Sequence, residues 1–121
     1  MKRAEIAALM KLKVDRLAEL GEAVQAALGA TEKTADDLAA IMTAADLAKA
    51  MADEFKGAAA GAVGKEARAA VEFEHGLRQW SMGCRELVAG LTDQSAQLLD
   101  MGRTHYQAGI EEVGKAYRAL A

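Results

Sequence analysis

Across residues 73–108 the apolar positions step by four and three without a break. They are Phe73, Leu77, Trp80, Cys84, Leu87 and Leu91, continued in phase by Gln94, Leu98, Met101, His105 and Ala108. This is a heptad seam, the pattern of a long helix lying along a partner. A second helical pattern covers residues 3–28, where Met10, Val14, Leu17, Gly21, Val24 and Leu28 keep the same steps, and Ile6, Leu9, Leu12 and Leu20 widen the stripe. A wide stripe can touch more than one neighbour. Around Gly29 the pattern can pause. Thr34 with Asp37 fits a capping box, in which the side chains of the cap and the third helical residue satisfy each other's free N–H groups. Yet the phase runs on through Ala35, Leu38, Met42 and Ala45, and retained phase favours one continuous first helix. The clearest breaker is residues 57–64, GAAAGAVG, with three glycines in eight positions.

The fold expected from this pattern is all-α: a long antiparallel two-helix coiled-coil hairpin in a single domain. Arm one would cover about residues 3–56, the bend about 57–64 and arm two about 65–120. Arms of about 55 residues would each be about 80 Å long. Near the end the phase slips to Ile110, Val113, Tyr117 and Leu120, a stutter. Gly90-Leu91-Thr92 echoes Gly29-Ala30-Thr31. Breaks at both places would give the alternative, a compact up-down four-helix bundle.

Composition sharpens this picture in one respect. Alanine supplies 29 of 121 residues, proline is absent and aromatics are 4%. Such a chain strongly favours helix but has few bulky side chains for a thick core. The net charge of −3 does not recommend nucleic acid as a partner. One cysteine cannot form an internal disulfide, which fits a reducing, cytoplasmic setting. No signal peptide and no apolar run of membrane-spanning length are apparent, so any membrane association is expected to be peripheral.

The chemistry-bearing residues are sparse. Cys84 occupies a core phase position and reads as an inert buried thiol. Glu72 and His75 form one Glu-x-x-His spacing, but a di-iron bundle wants two. His75 and His105 are thirty residues apart on one arm, and no nucleophile–base arrangement stands out. The expectation is a non-enzymatic protein without metal or cofactor. The candidate protein-binding residues are Lys11, Lys13 and Arg16, which make the first half of helix one basic, and Trp80, a large anchor if its ring edge reaches the surface.

Residues 9–17, LMKLKVDRL, resemble the opening helix of the small coiled-coil proteins of the flagellar and type III export apparatus. Residues 73–80, FEHGLRQW, with the hydrophobic and glutamine positions on to Leu98, resemble their return arm, and residues 103–120 share its alternation of charged and apolar positions. This chain is richer in alanine and glycine and poorer in glutamine and arginine than that family. The resemblance implies a stalk or adaptor in protein transport and flagellum biogenesis, with the export ATPase, the gate ring or chaperones as partners, and leaves self-association open. The alternative function is a structural four-helix-bundle interaction module, or a small secreted helical protein.

Overall fold

In the computed structural model, which describes residues 2–121, the helix that starts at Arg3 stops at Leu28, although the apolar phase continues. Four helices result: α1 (Arg3–Leu28), α2 (Ala35–Ala58), α3 (Gly64–Asp93) and α4 (Ala96–Leu120). Each break has a local cause. Gly29 turns its N–H back to the Gln25 carbonyl and ends α1. Thr34 then opens α2 with the capping box expected from sequence: its backbone N–H donates to Asp37 Oδ2 at 2.9 Å, and the Asp37 N–H donates to Thr34 Oγ1 at 3.3 Å. Between α2 and α3 the chain turns through residues 59–63, and Gly64 enters α3 with φ +59°. Between α3 and α4 the break falls at Gln94, which is left-handed at φ 54°, and Ser95 caps α4 by accepting from the Leu98 N–H at 3.2 Å.

Consecutive helices run antiparallel. Ser81 Oγ donates to the Ala45 carbonyl at 2.7 Å, Arg78 pairs with Asp53, and Phe73 packs on Phe55 with ring centroids 4.7 Å apart, so α2 numbers rise as α3 numbers fall. The first and last helices meet in the same sense. Arg3 donates to the carbonyls of Leu120 and Ala119 at 3.1 and 3.2 Å, supplying partners to the carbonyls left open at the end of α4. At the other end Gln25 Nε2 donates to Tyr106 Oη at 3.4 Å. The centre is filled by Trp80, Phe55, Phe73, Ile6, Met10, Ile41 and Leu77, all essentially shielded from solvent.

The tightest interface joins α3 and α4, and glycine makes it. Gly76, Gly83 and Gly90 recur at heptad spacing on α3, and Gly102 and Gly109 do so on α4. A Cβ on Gly83 would sit 2.5 Å from the Tyr106 backbone nitrogen and 2.7 Å from the Gly102 carbonyl oxygen. One on Gly109 would sit 2.6 Å from the Trp80 nitrogen and 2.7 Å from the Gly76 oxygen. The two backbones therefore touch where other residues would hold them apart. The contact explains why a glycine-bearing helix is stable here despite its weak propensity.

The chain is thus a compact four-helix bundle, not the elongated two-helix coiled-coil hairpin expected from its heptads. Both expected arms break, the first at Gly29 and the second at Gln94 rather than at Gly90. Continuous phase misleads because all four helices pack around one centre, so each keeps an apolar stripe whichever way the backbone turns. After the second break the buried stripe first lies one residue later than the seam implied, at Gly102, Tyr106 and Gly109; Val113 and Leu120 are then buried where the expected slip put them, with Ala116 rather than Tyr117 between them. Met101, assigned to the seam, is 41% exposed. A stalk role requires a long rod, and the bundle removes that basis. Among the described residues no helix is long and apolar enough to cross a membrane.

Candidate functional site

The residues proposed from sequence do not converge. Lys11 bonds Asp15 at 2.8 Å, Arg16 bonds Glu19 at 2.9 Å, and Lys13 reaches across to Glu54 of α2 at 3.0 Å. The hydrogen bond and charge of Asp15 raise the pKa of the Lys11 ammonium above its ordinary value. Each of these three cations is matched locally by an anion. Trp80 lies apart from them in the interior of α3, with no solvent-exposed surface.

Cys84 is also fully buried, and desolvation pushes its thiol up to about 12. A group of that kind stays protonated at neutral pH and is a poor nucleophile. The two histidines each bridge α3 and α4: His75 Nδ1 lies 2.7 Å from Glu112, and His105 Nδ1 lies 2.5 Å from Glu86. Neither pair is part of a larger cluster, for among the described residues no group of three or more His, Cys, Asp or Glu is placed to hold a metal ion.

What the bundle does form is a groove between α1 and α4, with a cavity of about 540 Å³. Its origin follows from the packing. The glycine contacts hold α4 against α3, and among the described residues the hydrogen bonds that join α4 to α1 are those of Arg3 at the end of α4 and of Gln25 to Tyr106 in its middle. Between these bonds small residues line the walls: Ala18 and Gly21 on α1, and Gly114 on α4. Val14 and Leu17 make the rest of the α1 wall, and Ile110 and Val113 the apolar part of the α4 wall.

Trp80 and Tyr106 form the floor, their rings 5.1 Å apart. The Trp80 indole N–H is buried and has no hydrogen-bond partner in the protein, whereas buried polar groups are nearly always paired. The rim carries two charges on α4, Glu111 and Arg118. The Arg118 guanidinium lies over Gly114, with Nη1 3.0 Å from where a Cβ would stand. Among the described residues neither Glu111 nor Arg118 has an ion-pair partner, unlike Lys11, Lys13 and Arg16. Ile110, on the same wall, is 42% exposed.

Of these residues the sequence reading placed Val14, Leu17, Gly21, Trp80, Ile110 and Val113 on apolar stripes but gave none but Trp80 a binding role. The available signal was the run of small residues at Ala18, Gly21 and Gly114 inside otherwise bulky stripes, which thins the layer between two helices. No family model, curated protein or solved structure matches this chain.

Proposed function

We propose that this protein is a non-enzymatic helical interaction module of the cytoplasm that receives a protein segment in the groove between α1 and α4. The observation that carries the reading is the groove itself: an apolar cleft floored by aromatic residues, whose rim carries two charges without an ion-pair partner among the described residues. Concave apolar sites with a few placed polar groups are the usual form of a binding site. The half-exposed Ile110, set above a firmly packed aromatic floor, is the kind of apolar surface on which binding energy concentrates. The single buried thiol is compatible with a reducing compartment. A protein partner suits the mixed charge of the rim better than the uniform anion of a nucleic acid backbone.

Photocrosslinking in the cells that make the protein tests this. A photoreactive residue replacing Ile110, on the α4 wall of the groove, is expected to give a discrete crosslinked protein. The same residue replacing Ala40, exposed on α2, is expected to give none. Identical crosslinking patterns from both positions would defeat the assignment of the binding face.

A further inference from the structure

Resting on that groove reading, the rim charges specify the partner further. We infer that the groove receives an amphipathic helix carrying an acidic and a basic side chain seven residues apart beside its apolar stripe. The backbone positions of Glu111 and Arg118 are two turns apart on α4, about 10 Å along the helix, and the Arg118 guanidinium leans back over Gly114. The opposite wall, from Val14 to Gly21, spans the same two turns of α1. A helix laid along the cleft would therefore meet both charges in one passage, with its intervening apolar residues directed at Ala18, Gly114 and the Trp80–Tyr106 floor. Helix-in-groove recognition uses anchors at i, i+3, i+4 and i+7, and seven residues is its natural repeat.

Charge complementarity separates this occupant from the obvious others. A monoanionic amphiphile would satisfy Arg118 but face Glu111, and a cationic one would do the reverse. Only an occupant with both signs, two turns apart, answers both. The intrahelical alternative is unused: Glu111 and Lys115 stand at i,i+4 but form no ion pair within 4.0 Å, so Glu111 is not satisfied from its own helix. The other helix face lined with cations, where Lys49, Arg78 and Arg85 surround a smaller cavity, is different. There Arg78 is held by Glu74 and Asp53, and Arg85 by Asp46, leaving little charge for a ligand.

Trp80 is the only tryptophan and lies fully buried beneath the groove, so its emission responds to repacking of the floor when the groove is filled. The probes are tryptophan-free peptides with one apolar stripe, stapled because isolated helices under about 15 residues are marginal in water. They differ only at two positions seven apart: Glu and Lys, Glu and Glu, or Lys and Lys. At low salt the mixed peptide should shift Trp80 emission and bind about two- to fivefold more tightly than either like-charged peptide, the range expected for one exposed ion pair, and added salt should narrow the gap.

Arg118→Glu should move the preference to the Lys/Lys peptide, and Glu111→Lys should move it to Glu/Glu. Both positions are exposed, and unchanged helicity verifies the fold of each variant. Ala18→Phe, which fills the groove, should weaken all three peptides. Equal affinities across peptides and charge variants, with Ala18→Phe still blocking, would overturn the charge-matched partner and leave the groove as a binding face. Binding insensitive to Ala18→Phe would overturn the groove reading as well. Failure of the mixed peptide to bind at all overturns the inference. So does a Trp80 shift that follows the protein's own concentration without peptide, which would identify a second copy as the occupant.

Discussion

Gly83 and Gly57 show how differently the same residue type acts in this chain. A methyl group on Gly83 would collide with backbone atoms of Tyr106 and Gly102, which cannot swing aside as a side chain can. Gly83→Ala should therefore force α4 away and destabilise the fold by about 1–3 kcal/mol, the usual range for overpacking. Gly57 has nothing within 4 Å of its Cβ position and lies in the last turn of α2. Gly57→Ala should stabilise by about 0.5–1 kcal/mol through helix propensity alone. Urea unfolding of the two variants beside wild type measures both signs. A loss of stability at Gly57 equal to that at Gly83 would mean that backbone approach is not what the α3 glycines provide.

Cys84 gives a second prediction at this scale. Its thiol is raised from 9.0 to about 12 by burial, with the positive charge of Arg85 opposing weakly. The unfolded chain releases this proton above about pH 9 while the folded chain keeps it. The unfolded state then binds fewer protons, so stability falls as pH rises through the window between 9.0 and about 12. The contribution is fully present below that window. Wild type minus Cys84→Ala, followed by denaturant unfolding at pH 7 and pH 10, should show a loss in the wild type that the variant lacks. Thiol labelling at neutral pH should proceed only at the rate of unfolding.

Among the elements, the start of α2 is the most sharply specified. The Thr34–Asp37 box satisfies two free N–H groups at once. Thr34→Ala should cost about 1 kcal/mol, with unfolding by heat or urea as the readout. Its presence was legible from residue type and spacing, as was helix over residues 3–28, but the end of α1 was not, since the expected arm ran on to about residue 56. The capping signal and the continuing heptad phase pointed in opposite directions at this place, and the local signal prevailed. A cap acts on the backbone that must end, whereas phase records only that the next helix faces the same core.

The second break was less legible. Gln94 adopts a left-handed conformation that glycine usually supplies, and Gly90, the residue that looked like the breaker, instead presses against Leu99. Sequence shows that a glycine is present but not whether it bends the chain or admits a neighbour. The answer depends on what faces it. The heptad spacing of Gly76, Gly83 and Gly90 against Gly102 and Gly109 becomes meaningful only once α3 and α4 are known to be antiparallel neighbours. The rim charges were hidden for the same reason, since Glu111 and Arg118 become groove residues only when α4 stands beside α1.

For the whole molecule, two consequences come from one feature. Close α3–α4 packing compensates for a core short of bulky residues, because backbone contact replaces side-chain volume. The α1–α4 side is held more sparsely, by Arg3 at the end of α4 and by Gln25 at Tyr106, and the groove lies between these two contacts. Stability and the binding face are therefore coupled: a variant that pushes α4 off α3 should also narrow the groove.

The groove exists only if the chain breaks both near Gly29 and at Gln94. Small-angle X-ray scattering of the monomer, with its mass determined in the same run, measures this most directly. A four-helix bundle whose longest helix has 30 residues should have a maximum dimension of about 50 Å, little more than that helix. Its radius of gyration should be about 14 Å. A maximum dimension of about 80 Å, the length of an unbroken arm, would contradict the bundle and with it the groove.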